Sequence, residues 1–296
     1  MPEPEDAFRL DRPRLRASFE RASSGYEAAA RLQAEVGAEL LTRLDAFDFA
    51  PGVVLDLGCG TGRVTRELKR RYPRALVIAL DLAPGMLRAA RRNQPLWRRF
   101  ARVCGDALRL PLRSASVDIV FSSLMLQWCE PLDAALAEVR RVLRPDGHFA
   151  FSTFGPDTLQ ELRAAWAAVD DHTHVNRFID MHGVGESLVH AGLAEPVLDV
   201  DRIELGYPDT LTLMRDLKAI GAHNATAGRP RTLLGRERLR RVSTAYEAFR
   251  QGARLPATYE VIYGASWGAA GRPTAGAAAR EVRIALSAVG RRGPSP

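Results

Sequence analysis

The sequence predicts an α/β fold built on a mostly parallel sheet, and three observations carry that prediction. Short apolar runs alternate with helix-period segments along the middle of the chain. The run Val53-Val54-Leu55-Asp56-Leu57 opens directly into a glycine-rich loop, Gly58-Cys59-Gly60-Thr61-Gly62. The next apolar run, Ala75 to Leu80, ends on an acidic residue, Asp81. Strands and helices alternating at this spacing imply βαβ units, and ligands of such sheets sit at the carboxyl ends of the strands.

Each element has a local reason. From Arg12 to Leu44 the apolar residues Leu15, Phe19, Tyr26, Leu32, Val36, Leu40 and Leu44 recur mostly at three- and four-residue steps. That period predicts an N-terminal helical appendage, broken at Ser23-Ser24-Gly25. After Pro51-Gly52 come the first strand, the glycine loop and a helix through about Arg71. Pro84, just past Asp81, occupies a position that a first helical turn tolerates. Val103 with its neighbours and Val117 to Phe121 read as further strands. Leu132 to Leu143 reads as a helix stopped by the turn signal Arg144-Pro145-Asp146-Gly147, and His148 to Thr153 as an apolar strand.

Beyond Phe154 the pattern changes. Leu159 to Val169 and Met181 to Leu193 are helical in period, whereas Val197 to Leu205 and Thr258 to Tyr263 are strand-like. Two more helical stretches, Thr210 to Ile220 and Arg236 to Arg250, lie between those strands. The expectation is a pair of antiparallel closing strands with a helical insertion over the ligand pocket. From Gly268 onward Ala, Gly, Arg and Pro dominate, the composition of a disordered tail.

Composition narrows the function classes. The chain has 296 residues, 46% of them hydrophobic and 7% aromatic, which suits one domain with additions and an ordinary core. The apolar runs fall short of the ~18 residues that a membrane span needs. MPEPEDAF is acidic, with neither a secretory apolar core nor the Arg-rich character of a transit peptide. Three cysteines, Cys59, Cys104 and Cys129, are an odd number without CxxC spacing, which points to a reducing cytoplasm. A net charge of +7 permits an anionic partner. Without an interleaved basic-aromatic stripe, nucleic acid is disfavoured.

The glycine loop discriminates further. A dinucleotide fingerprint needs a third glycine where this chain has Arg63; Gly62 comes one residue early. The resulting pattern, an acidic residue followed by G-x-G-x-G, resembles the nucleotide-binding signature of class I S-adenosylmethionine-dependent methyltransferases. The resemblance implies a Rossmann-like sheet with S-adenosylmethionine as cofactor and S-adenosylhomocysteine as product. It further implies Asp56 near the methionyl amine, Asp81 on the ribose hydroxyls, and Gly105-Asp106-Ala107 at the adenine. Gly58, Cys59, Gly60, Gly62, Leu82 and Met86 join the cofactor set. The stretch from Phe121 to Trp128, with Ser122, is similar to a later motif of the family, where the transferable methyl points.

The flanks carry a closer resemblance. Ser18 to Tyr26, Leu126-Gln127-Trp128-Cys129, Trp166 to Asp170, Asn176-Arg177-Phe178 and Leu217 to Ala222 look like the malonyl-acyl carrier protein O-methyltransferases of biotin synthesis. That family esterifies the free carboxylate of a malonyl thioester. A carboxylate with pKa near ~4 is already ionised at pH 7, so the site needs clamps rather than bases. Arg177 is the expected carboxylate clamp, because guanidinium is a permanently charged, bidentate fork. Tyr26, Gln127, Trp128, Lys218 and His223 are the expected pocket wall and gate.

The implied organisation is a helical cap over 1–48, a methyltransferase core over 49–206, a lid and carrier-docking insertion over 207–257, a last core strand over 258–267 and a tail over 268–296. Acyl carrier proteins are acidic. Arg9, Arg12, Arg14 and Arg16, with Arg229, Arg231, Arg236, Arg238, Arg240 and Arg241, offer basic material to meet one. Asp170-Asp171-His172-Thr173-His174 has no standard zinc spacing, and no metal is expected. Two rival readings remain. Phe154 to Leu159, Tyr207-Pro208 and Leu255 to Tyr259 are similar to a complex I assembly factor that hydroxylates a protein arginine, and the basic charge could serve an RNA-binding methyltransferase or module.

Overall fold

Seven strands form one sheet in the order β3-β2-β1-β4-β5-β7-β6 in a computed structural model that describes residues 10–48, 50–222 and 235–268. The strands are β1 Val53–Leu57, β2 Leu76–Asp81, β3 Ala101–Cys104, β4 Val117–Ser123, β5 Leu143–Phe154, β6 Ala194–Tyr207 and β7 Leu255–Trp267. The first five run parallel, whereas β7 is antiparallel to both β5 and β6. The chain steps outward from β1 through β2 to β3, then returns to place β4 on the other side of β1. That reversal opens a crevice at the carboxyl ends of β1 and β4, the place where such sheets bind ligands.

Successive strand residues serve opposite faces, so a sheet covered on both sides reads as continuous apolar sequence. Val54, Val77, Ala79, Ile119 and Phe121 pack into one core with Val36 and Leu40. Leu55, Leu57, Ile78, Leu80, Phe149 and Phe151 pack into the other with Leu136, Val139 and Leu188. The first core is closed by helices α3 (Arg31–Arg43) and α4 (Arg63–Arg71), the second by α6 (Leu132–Val142) and α8 (Met181–His190).

The N-terminal appendage is α1 (Arg12–Ala22), a turn at 23–25, α2 (Tyr26–Ala29) and α3. Asp11 caps α1 by accepting from Arg14 N at 3.1 Å. Helix α5 (Pro84–Asn93) has no side-chain cap from its own N-cap residue; Glu20 of α1 accepts from Gly85 N at 2.5 Å instead. A distant carboxylate therefore satisfies an orphan donor and fixes the appendage to the core.

Two expectations change in detail. The segment Arg144–Gly147 belongs to β5 rather than to a separate turn, but its turn chemistry shows as a register jump, with Val117 opposite Leu143 and Ile119 already opposite His148. Strands β6 and β7 run longer than their apolar cores suggest, because they pair from Ala194 with Trp267 to Tyr207 with Leu255. The insertion contributes α9 (Thr210–Ala219) and α10 (Arg236–Tyr246). The remaining helix, α7 (Gln160–Ala167), follows β5. Among the described residues no helix is long and apolar enough to cross a membrane.

Candidate active site

The glycine loop after β1 is strapped to the end of β2. Gly58 N and Cys59 N both donate to Leu80 O, at 2.8 and 3.0 Å. Gly58 has φ +80°, and a Cβ there would lie 2.2 Å from Met125 Cγ, so only glycine fits. Asp81 completes the strap: its Oδ2 accepts from Gly60 N at 2.9 Å and its Oδ1 from Ala83 N at 2.8 Å. The Asp81 carbonyl accepts from Gly105 N at 3.1 Å, which ties the loop after β3 to the same point.

Above this junction lies a cavity of ≈ 1430 Å³, its open mouth included. Its floor holds Gly58, Gly60, Asp81, Leu82 and Met86, with Asp106 and Ala107 at one side. Tyr26, Gln127 and Trp128 stand on its wall. Phe19 of α1 meets the Trp128 ring edge-on with centroids 5.5 Å apart. Gln127 is oriented by donating from Nε2 to Leu124 O at 2.7 Å.

Helices α1, α2 and α9 roof the cavity. Glu27 accepts from Thr61 Oγ1 at 3.0 Å and from Asn93 Nδ2 at 2.8 Å, so α2 is held to the glycine loop and to α5. Arg12 forms an ion pair with Asp106 across the mouth. Gly221, at φ +75°, lets the end of α9 approach α1; a Cβ there would meet Phe19 Cδ1 at 3.1 Å and Ser18 O at 3.3 Å. Close approach is the physical content of the glycine in Ile220-Gly221-Ala222.

Electrostatically the floor is negative and poorly solvated. Burial raises Asp56 to about 7 despite the short hydrogen bond from Thr65 Oγ1 at 2.5 Å, with the Asp81 charge adding to the shift. Burial likewise raises Asp81 to about 6, against the lowering effect of the Ala83 and Gly60 amides. Both carboxylates would gain from a cationic ligand. The Tyr26 phenol is pushed up by burial and by Asp81, and the Cys129 thiol by burial to about 12. His174, also on the wall, stacks on Trp166 with centroids 3.6 Å apart, and its Nε2 lies 2.8 Å from Asp170 Oδ1.

Other expected site residues lie off this wall. Asp56 and Cys59 are buried beneath the loop, and Gly62 packs against Ala90. Ser122 is fully buried with its hydroxyl on Leu57 O at 3.0 Å; strand alternation turns Ser123 to the cavity instead. Lys218 is exposed on α9, whose Leu217 and Ile220 face inward. Arg177 is exposed and lines a neighbouring cavity. His223, Arg9, Arg229 and Arg231 lie outside the described residues, as does the tail after Gly268. The Asp170 cluster knits the insertion down: Arg238 Nε lies 3.2 Å from Asp170 Oδ2, and Arg241 donates to Val169 O at 3.2 Å. Among the described residues no group of His, Cys, Asp or Glu is placed to hold a metal.

Beyond Leu82, Met86, Ala107 and Trp128, sequence reasoning assigned no site role to the apolar wall. Leu124 and Leu159 line the cavity at φ +49° and +56°, conformations that leave no mark in the sequence for a non-glycine residue. Asn176 also lines it, buried, and was overshadowed by its charged neighbour Arg177.

Comparison with known proteins agrees with this geometry. Residues 55–151 match the family described as a methyltransferase domain. A protein of Bacillus halodurans, solved and described as a methyltransferase, superposes with a TM-score of 0.57 at 18% identity, covering 79% of this chain and 98% of that one; it shows the fold. The malonyl-acyl carrier protein O-methyltransferase of Laribacter hongkongensis is 56% identical over 276 residues, 90% of this chain and 93% of that one. The same-named protein of Halorhodospira halophila is 49% identical over 291 residues, 98% of this chain and 99% of that one. The chain belongs to the malonyl-acyl carrier protein O-methyltransferase family of Rossmann-like α/β methyltransferases.

Proposed function

We propose that this chain methylates the free carboxylate of a malonyl thioester carried by acyl carrier protein. The observation that carries the reading is the match of nearly the whole chain, cap and insertion included, to relatives of that name. The cavity supports it. Its floor fits S-adenosylmethionine, because a cationic ligand would relieve the two buried carboxylates and the Gly58 turn lets backbone approach it. Asp81, Asp106 and the loop from Gly58 to Gly60 would hold its ribose, adenine and methionyl ends, with Asp56 beneath. When bound, the group supplies an activated methyl on a sulfonium.

The chain's own work is then positioning. A carboxylate brings its own negative charge at neutral pH, so no proton need be removed from the acceptor. Tyr26 and Cys129 stay protonated and act as walls and donors rather than bases. The Nε2 of His174 is committed to Asp170. Holding acceptor and donor in line can contribute ~7–11 kcal/mol. Gln127 and Trp128 shape the acceptor side, and Arg177 reaches the carboxylate from the neighbouring cavity, which shares Gln127, Asn176 and Phe178 with this one. Esterification removes the charge that Arg177 holds, which favours release.

The helices over the cavity act as the cap and lid, through which cofactor exchanges. Arg14, Arg16 and Arg236 are exposed on α1 and α10, whereas Arg12, Arg238, Arg240 and Arg241 already have protein partners. The exposed three are the stronger candidates to meet an acidic carrier, in a cytoplasm where Cys59, Cys104 and Cys129 stay free thiols. The test is base lability. Label moved from the cofactor methyl to malonyl-acyl carrier protein must return as volatile methanol after mild alkali, and label that survives alkali refutes an ester.

A further inference from the structure

The cofactor cavity has a neighbour. A second cavity of ≈ 820 Å³, with Leu132, Leu136 and Val184 along it and Ile179 at its rim, shares Gln127 and Asn176 with the first. Ile179 is 47% exposed, whereas Leu136 and Val184 are fully buried, so this cavity runs from the surface inward. The shared wall holds an unresolved polar demand. Asn176 is only 8% exposed, and its Oδ1 has no hydrogen-bond partner. Leaving such a group unsatisfied is costly, and native structures rarely do so without a ligand or a water.

The chemistry of that demand is specific. A side-chain amide offers one acceptor oxygen and two donor hydrogens, and another amide is its natural complement. The apolar length beyond it suits methylene and methyl groups. An acyl carrier protein is too large to enter either cavity, so its malonyl group must travel on an arm. That arm is a flexible chain with a thioester, two amides and apolar carbons between them. It needs a passage from the surface that ends beside the reacting methyl.

We propose that the second cavity is the binding site of this amide-bearing thioester arm, with Asn176 hydrogen-bonded to an arm amide where the two cavities meet. The inference rests on the malonyl reading above and deepens it. It gives cofactor and acyl substrate separate doors: the first beneath α1 and α9, the second past Ile179. It also places the malonyl carboxylate past Asn176, on the Gln127 side of the junction between the cavities, with Arg177 on the wall of the second.

The test compares two acceptors that carry the same carboxylate. Malonyl-acyl carrier protein has the full arm; S-ethyl malonyl thioester has neither arm nor amide. For wild type, Ile179→Trp and Asn176→Leu, kcat/KM is measured on both, with S-adenosylmethionine affinity by calorimetry. Both variants are expected to bind cofactor within about twofold of wild type and to lower the ratio of carrier to ethyl kcat/KM about tenfold or more, Asn176→Leu through one lost hydrogen bond to a buried polar group and Ile179→Trp by obstructing the rim of the cavity. An unchanged ratio in Ile179→Trp puts the arm in the mouth of the cofactor cavity and overturns the inference. An unchanged ratio in Asn176→Leu, or loss of cofactor affinity there, overturns the amide contact. A wild-type chain that methylates neither acceptor refutes the malonyl reading, and the arm site with it.

Discussion

Asp81→Ala removes the group on which the glycine loop, the end of β2 and the cofactor cavity converge. The carboxylate holds Gly60 N at 2.9 Å and Ala83 N at 2.8 Å and lines the cavity floor. In the proposed reading it also receives two ribose hydroxyls. Hydrogen bonds to a charged group are worth ~1.5–3 kcal/mol each, so losing two weakens cofactor by ~3–6 kcal/mol, or roughly 10²–10⁴-fold. The same truncation strips Gly60 N and Ala83 N of their acceptor, which loosens the loop and adds to the loss. Asp81→Asn keeps the shape but replaces one acceptor by a donor, so about half of that energy remains and the loss falls to roughly 10–100-fold. Titration calorimetry at about pH 8, above the raised Asp81 pKa of about 6, reads both. Wild-type affinity in Asp81→Ala, with the fold intact by thermal melting, would refute the reasoning.

Other consequences follow from the same floor and wall. Burial places Asp56 at about 7 and Asp81 at about 6, above the ordinary 3.8, so the cofactor-free fold binds more protons than the unfolded chain between about pH 4 and 7. Its stability therefore falls as pH rises through that window, and cofactor affinity rises between about pH 6 and 7 as the cation favours ionised carboxylates. Urea unfolding across that range checks the first trend, Asp56→Asn flattens it, and a flat wild-type profile contradicts it. Gly58→Ala forces a Cβ to 2.2 Å from Met125 Cγ at φ +80°, so it destabilises by about 1–3 kcal/mol and weakens cofactor; an unchanged melting temperature and affinity contradicts this. Arg177→Ala is expected to keep cofactor affinity and lower kcat/KM for the malonyl substrate about tenfold or more, because in the proposed reading its fork meets only the acceptor; equal turnover contradicts it.

The sheet was legible because its signals are local. A short Val/Leu run, interrupted only by Asp56, before a glycine loop, and an apolar run before an acidic residue, mark β1 and β2 whatever the rest of the chain does. The turn at Arg144 to Gly147 was legible as chemistry but not as geometry, since only pairing with β4 shows that the strand absorbs it as a register jump. The ends of β6 and β7 depend on each other and not on their own residues, so periodicity placed their centres and missed their lengths.

The site divides in the same way. Residues with a backbone or charge reason to stand at a strand end, such as Gly58, Gly60, Asp81 and Asp106, line the cavity. Ser122 and Lys218 do not, because which face a residue presents is decided by the pleat of β4 and the docking of α9 rather than by its type. Gly85 shows a third case. Its amide needs an acceptor, and the one it finds, Glu20, stands 65 residues away in sequence.

The most direct test of the account is the intact mass of malonyl-acyl carrier protein after incubation with the full chain and S-adenosylmethionine, with acetyl-acyl carrier protein as control. The two thioesters differ only in the carboxylate to which the site is assigned. A gain of one methyl on the malonyl form alone is the predicted result. Equal gain on both forms, or none on either while cofactor binds in a parallel titration, would contradict the assignment of a malonyl carboxylate to this cavity.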